Sequence, residues 1–301
     1  MQRSCDTVAA TAQTTLAAAF GTAASLVLTA LAVFSLSGIS AAPVLAQAPT
    51  PDATPQIGQI SKDSVWVPTP ERMILRMLQI ADTTRDDVVM DLGSGDGRVP
   101  IFAARHFGTR AVGVELEANL VRLSLEKARA QGVAHLTQFI EQDLFDVDLA
   151  QASVITLYRS PGAMVKLKPR LLALKPGTRI VSHQFTLEDW EPDETVRVEG
   201  RTGMLWLVPA EVRGNWTVST PSGELRLRIE QQHQALRTSG ARAGLPANVI
   251  GARLRGTEIS FTAFDRDGSS RQYRGRVEGA RMSGESFGES GGTQRWSAAR
   301  D

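Results

Sequence analysis

"VVMDLGSGDGRVP", Val88 to Pro100, is the stretch from which the rest of the chain is read. An apolar run of the kind that fills a buried strand stops at an acid, Asp91. Three glycines follow at alternate positions, Gly93, Gly95 and Gly97, with Ser94 and Asp96 between them. The residues beyond, "GRVPIFAARHF", have helical spacing, and Pro100 is tolerable only in the first turn of such a helix. A strand, a glycine-rich turn and a helix together make a ligand site. Glycine lets the backbone approach a ligand closely, and the start of a helix offers unpaired N–H groups. The spacing here is D-x-G-x-G-x-G, not the G-x-G-x-x-G that seats a pyrophosphate on the helix. Asp91 and Asp96 would repel a pyrophosphate in any case. The chain has no G-x-x-x-x-G-K-[ST] stretch, so a P-loop nucleotide site is unsupported.

Acids in that loop suit a ligand that carries a cation, such as the sulfonium and amino group of S-adenosylmethionine. The following strands extend this reading. "RAVGVELEANL" puts Glu115 at the end of a second strand, 24 residues after Asp91, where a carboxylate can accept from ribose hydroxyls. "IEQDLFD" puts Asp143 near the end of a third strand. An acid there can accept from an adenine amino group while its neighbour Leu144 packs on the ring. Three acids at three successive strand ends lie on one edge of the sheet, where open α/β sheets bind ligands.

Apolar and amphipathic segments alternate from Asp63 to about Ala210. "ERMILRMLQIA" is helical, with Met73 spaced to Met77 and Ile74 to Leu78 and Ala81. "ANLVRLSLEKARAQG" is a helix ending near Gly132, "SVITLYR" a fourth strand, "VKLKPRLLALKPG" a helix and turn, and "TRIVSHQF" a fifth strand. "TVRVEG" and "GMLWLVP" read as a closing pair. The alternation predicts an α/β, Rossmann-like fold with a mostly parallel seven-stranded sheet covered on both faces. After Glu211 short alternating runs such as "ELRLRIEQ" and "TEISFTAF" replace the helices, and 13 of the 26 glycines fall there. This predicts a small antiparallel β module of about seven or eight strands, a curved sheet or barrel. The expected divisions are a signal or anchor at 1–48, a Pro-rich linker at 49–62, a catalytic domain at 63–211 and the β module at 212–301.

These motifs together resemble the class I S-adenosylmethionine-dependent methyltransferases, from about Trp66 to Pro209. More narrowly, "VWVPTP", "DLGSGDGRVPIFAAR", "AVGVELEANLV" and "HQFTLEDWEPD" resemble the lysine methyltransferases that act on the c-subunit of ATP synthase, and their bacterial relatives. The resemblance implies S-adenosylmethionine as cofactor and a protein lysine or a small molecule as methyl acceptor. It implies cofactor contacts from Asp91, Gly93, Ser94, Gly95, Asp96, Gly97, Glu115, Asp143 and Leu144, with Asp96 toward the cofactor's amino group. Trp66 and Pro68 are read either as a lid over the cofactor or as packed linker residues. By analogy the acceptor lies beyond strand four, so Tyr158, Arg159, Ser160 and Pro161, with His183, are the candidates for its pocket. "LYRSPGAM" departs from the pattern in placing Arg159 and Ser160 where a more apolar stretch is expected, and the β module has no counterpart in those lysine enzymes. The competing reading is an exported binding module of the same fold that holds a nucleoside-like ligand without turnover.

The N-terminus differs from the rest. No charged residue occurs from Leu16 to Gly38, Arg3 precedes this run, and small residues follow in "SAAPVLAQAPTP". That order is the order of a secretory signal. The run is also long enough to be an uncleaved membrane anchor, so the expected location is periplasmic, secreted or inner-membrane-anchored. Cys5 is the only cysteine, which leaves the chain beyond it without disulfide or Cys-based metal site. A net charge of +1 supplies no basic field, and no nucleic-acid partner is expected. The histidines and acids show no metal-ligand spacing, so no metal site is expected.

Overall fold

The structure is a computed structural model that describes Gly58 and residues 67–265, 267–289 and 292–301. The expected signal or anchor lies outside the described residues, as do Trp66 and all of the linker but Gly58.

Seven strands form the first sheet: β1 (Val88–Leu92), β2 (Arg110–Glu115), β3 (Thr137–Glu141), β4 (Val154–Leu157), β5 (Arg179–His183), β6 (Glu194–Val198) and β7 (Arg201–Leu207). Their order is β3-β2-β1-β4-β5-β7-β6. The pairings from β3 to β5 are parallel, and β7 runs antiparallel between β5 and β6. The order reverses between β1 and β4, and the crevice at such a switch point is where open α/β sheets bind ligands.

Side chains on a strand alternate between faces, so one central strand feeds two cores. Met90 and Leu92 of β1 join Val112, Val114, Ile155, Leu157 and Ile180 on one face. That face is covered by α4 (Pro161–Leu172) through Met164, Leu167 and Leu171. Val89 joins Ala111, Val154, Val181 and Leu205 on the other, against α1 (Glu71–Ile80) and α2 (Arg98–Phe107). Helix α3 (Ala118–Ala130) lies beside α2, with Ala128 packed near Ile101 and Ala104. Burial on both faces is why these strands read as continuous apolar runs.

Asp87 ties the amino ends together. Its carboxylate accepts from Ser153 Oγ at 2.7 Å and from Thr84 N at 2.8 Å, and pairs with Arg179 of β5. Burial would raise this carboxyl, but the bonds from Ser153, Arg179 and Thr84 outweigh it and hold it below its ordinary value.

The second sheet has nine antiparallel strands, one or two more than the sequence pattern predicts. They are β8 (Gly214–Thr220), β9 (Gly223–Gln232), β10 (Ala235–Arg242), β11 (Leu245–Ala247), β12 (Val249–Arg255), β13 (Glu258–Phe264), β14 (Ser270–Glu278), β15 (Arg281–Gly288) and β16 (Thr293–Arg300). The short β11 and the polar β10 carry too little alternation to be read from sequence. The sheet curls until β10 nears β12, with Thr238 Oγ1 3.5 Å from the Val249 carbonyl oxygen. Phe261 stacks on Tyr273 at 4.7 Å, and Trp296 meets both edge-on at 5.9 and 5.8 Å. Gly275 and Gly284 face each other across β14 and β15, and a Cβ on Gly275 would fall 2.5 Å from the Trp296 ring. The glycine rhythm of "YRGRVEGARMSG" thus makes room for an indole.

This core shares no residue with those of the first sheet. The two sheets meet through Ala210 N, which donates to the Gly256 carbonyl at 2.8 Å. The β9–β10 turn adds a second contact, where His233 Nε2 lies 3.2 Å from Asp189 Oδ2.

Candidate functional site

A cavity of about 360 Å³ opens at the carboxyl ends of β1, β2, β3 and β4. Most of the residues singled out in the sequence line it: Asp91, Gly93, Ser94, Gly95, Asp96, Glu115, Asp143 and Leu144, with Pro68 on the approach segment and Tyr158, Arg159 and Ser160 after β4.

The glycine loop is built around Glu115. Gly93 N and Ser94 N both donate to the Val114 carbonyl at 2.9 Å, which folds the loop back over β2. Gly95 then donates to Glu115 Oε2 at 2.8 Å, while Leu116 N and Glu117 N donate to Oε1 at 2.8 and 3.2 Å. Glycine is required here because Gly95 has φ +55° and Gly93 φ +82°, the left-handed region. Glu115 therefore braces the loop, and its remaining lone-pair capacity faces the cavity.

Asp91 is buried opposite it. Register pairs it with Thr156 of β4, whose Oγ1 donates to Asp91 Oδ1 at 2.5 Å. Its pKa is pushed up to about 7. Burial is the chief cause, and the charges of Glu115 and Asp96 add to it, while the Thr156 bond and Arg159 act the other way. Asp143 closes a turn by accepting from Phe145 N at 2.8 Å. Beside the entrance, Tyr158 and Phe185 stack at 5.9 Å and form an aromatic wall with Val67 and Leu157.

Four of the expected site residues are placed differently from the rest. Gly97 does not line the cavity: it starts α2 at φ +76°, and a Cβ there would lie 2.7 Å from Ser124 and 2.8 Å from Phe139. Its glycine serves packing between α2, α3 and β3. Asp96 lines the cavity, but its carboxylate is bound by Arg98 at 2.9 and 2.8 Å and by Lys127 at 2.7 Å. Burial raises this carboxyl, and those two cations more than reverse the effect, leaving it below the ordinary value. Through these bonds it pins α2 to α3. His183 and Pro161 lie outside the cavity wall. His183 is buried under Tyr158, with ring centroids 4.0 Å apart, and Thr69 Oγ1 is 3.2 Å from its Nδ1. Burial first, and Arg201 second, lower its pKa to about 4, so the ring is neutral and supports the wall from behind. Pro161 opens α4, where its missing N–H costs nothing.

Thr156, Phe185, Thr69 and Gln142 also line the cavity and were not singled out from sequence. Thr156 had a signal, a hydroxyl inside the apolar run "SVITLYR", but its partner depends on which strand lies next to β1. Among the described residues no group of His, Cys, Asp or Glu is arranged to hold a metal ion, and no helix is long and apolar enough to cross a membrane.

Residues 91–194 match the model of the ANTKMT methyltransferase domain. The chain is 43% identical over 136 residues to a protein-lysine N-methyltransferase of Saccharolobus islandicus, covering 44% of this chain and 84% of that protein. It is 33% identical over 146 residues to the ATP synthase c-subunit lysine N-methyltransferase of Xenopus laevis, covering 48% of this chain and 62% of that one. It thus spans most of the archaeal relative and about three fifths of the amphibian one. A crystal structure of an RNA methyltransferase from Salinibacter ruber with S-adenosyl-L-homocysteine is 47% identical, covers 48% of this chain and 96% of that chain, and superposes with a TM-score of 0.48. The chain belongs to the protein-lysine N-methyltransferase family of S-adenosylmethionine-dependent methyltransferases.

Proposed function

We propose that this chain transfers the methyl group of S-adenosylmethionine to a lysine side chain of a protein acceptor. The observation that carries the reading is the convergence of Asp91, Glu115 and Asp143, from three adjacent strand ends, on one cavity with an aromatic entrance. The identity to protein-lysine enzymes directs it to lysine.

The bound cofactor supplies a methyl group made electrophilic by its sulfonium. The chain must hold an acceptor nitrogen in line with that methyl, at about 3–3.5 Å, and exclude water. Glu115 has lone-pair capacity left for ribose hydroxyls, Asp143 and Leu144 suit an adenine edge and face, and Asp91 suits an α-ammonium. The loop at Gly93 and Gly95 lets backbone replace side chain where the methionyl end passes. An acceptor lysine must arrive unprotonated. The wall of Tyr158, Phe185, Val67 and Leu157 promotes this, because an apolar surround disfavours the ammonium form. His183 keeps Tyr158 in place and takes no proton above about pH 4.

The test is transfer of labelled methyl from S-adenosylmethionine by the purified chain to envelope proteins, cytosolic proteins, a small-molecule extract and total RNA in separate arms. Methyl-lysine after acid hydrolysis of a protein arm is the expected product. Label confined to RNA or to small molecules refutes the lysine assignment, and cofactor binding without transfer in any arm favours the binding-module reading.

The uncharged run at 16–38 behind Arg3 supports a second proposal, export or inner-membrane anchoring. A reporter fused after Gln59 should be active outside the inner membrane, and activity confined to the cytoplasm refutes it.

A further inference from the structure

We propose that Arg159 holds the α-carboxylate of the cofactor's methionyl end, facing the Asp91 carboxylate that takes its α-ammonium. The inference rests on the cofactor reading above and reassigns a residue expected from sequence to meet the acceptor.

Two cations line the cavity, Arg98 and Arg159. Arg98 is held in a two-pronged pair by Asp96. Arg159 has no carboxylate within ion-pair distance among the described residues, and its Nε is shut off from solvent without a hydrogen-bond partner. A guanidinium donor left buried and unbonded is costly, and such a group in a ligand cavity points to an acceptor that arrives with the ligand.

Its position fixes which part of the ligand that is. The side chain leaves the end of β4 and lies across the glycine loop. A Cβ on Gly93 would meet Arg159 Nη1 at 2.6 Å, Cδ at 3.1 Å and Cζ at 3.2 Å. Gly93 follows Asp91 by two residues on the adjoining strand end. A buried carboxyl and a guanidinium with no carboxylate partner therefore lie at Gly93, the guanidinium covering it. An amino acid's ammonium and carboxylate sit on one carbon, so this pair matches both ends of that zwitterion at once. The fork of an arginine also suits a carboxylate, which can take two parallel N–H bonds. Arg159 also lowers the pKa of Asp91, which is consistent with the two facing one space.

The experiment is calorimetry of the full chain with three ligands. S-adenosylhomocysteine carries both charged groups, its decarboxylated analogue carries only the ammonium, and 5′-methylthioadenosine carries neither. Arg159→Gln should weaken S-adenosylhomocysteine about ten- to a hundredfold and leave the other two within about twofold, as expected for loss of a charge-assisted pair. Arg159→Lys, which keeps the charge without the fork, should fall between, and retained circular dichroism excludes loss of fold. Equal weakening of all three ligands by both variants overturns the assignment. So does unchanged S-adenosylhomocysteine affinity together with a raised KM for a protein acceptor, which returns Arg159 to the acceptor pocket. A wild-type chain that binds none of the three overturns the cofactor reading itself, a result distinct from either.

Discussion

Cofactor binding should release a proton from Asp91. In the free protein its carboxyl is held near pKa 7 by burial. A bound α-ammonium favours the ionised form, so binding must first remove that proton when the pH is below 7. The ionised fraction is about one in a hundred at pH 5 and nine in ten at pH 8. S-adenosylhomocysteine should therefore bind about a hundredfold more weakly at pH 5 than at pH 8, a difference of about 2.7 kcal/mol. His183, at about 4, titrates below this window. The sign for stability is opposite. The folded free protein keeps a proton that the unfolded chain gives up near 3.8, so this group's contribution to stability falls as pH rises from there through about 7. Ligand-induced rise in melting temperature should accordingly grow with pH across the same interval. Calorimetry in buffers of different ionisation enthalpy counts the released protons directly. Asp91→Asn should bind weakly and lose the pH dependence. A wild-type affinity that is flat from pH 5 to pH 8, or a slope that survives in Asp91→Asn, refutes the ammonium assignment.

Glu115→Ala removes an acceptor from three backbone amides as well as from the ribose, and should weaken S-adenosylhomocysteine about ten- to a hundredfold; a folded variant of unchanged affinity contradicts the brace. Gly97→Val meets both a positive φ and the Ser124 and Phe139 side chains, and should cost about 3 kcal/mol in urea unfolding, a loss that would be absent if the loop were open there. Asp87→Ala leaves Arg179 without its carboxylate partner and should destabilise by about 3 kcal/mol at pH 7. Because the Asp87 carboxyl is held low, the wild-type contribution is present above about pH 4 and is lost as pH falls further, so the two proteins should converge in acid unfolding. A chain ending at Glu211 should remain soluble and keep its S-adenosylhomocysteine affinity to within about threefold, since the two cores share no residue. Loss of binding would show that the Asp189–His233 and Ala210–Gly256 contacts hold the first sheet in shape.

Much of the fold is local and was legible for that reason. Val88–Leu92 is apolar but for Asp91 because a central parallel strand is buried on both faces, and the glycines after it mark a place where the chain turns with positive φ. Period and punctuation of that kind survive in one dimension, and they located the loop, Glu115 and Asp143 at strand ends. In the second sheet the same signal failed at β10 and β11, where polar residues and a three-residue strand carry no alternation to read. What sequence could not supply is which side chain meets which across the sheet. Asp91 and Asp96 look alike as acids five residues apart in sequence. Only the packed structure sets Asp91 against Thr156 in a buried space that raises its pKa, and Asp96 between Arg98 and Lys127, which neutralise its charge. Gly95 and Gly97 are equally alike in sequence, yet one opens toward a cavity and the other is closed by Ser124 and Phe139. Arg159 could be placed after a strand, but not laid across Gly93. The element order and the chemical types gathered at one sheet edge are readable along the chain, because these follow from short-range geometry. The division of those residues between ligand and scaffold belongs to the tertiary structure, because burial and polar pairing are made by neighbours far apart in the chain, 65 residues for Asp91 with Thr156 and 114 for Thr69 with His183.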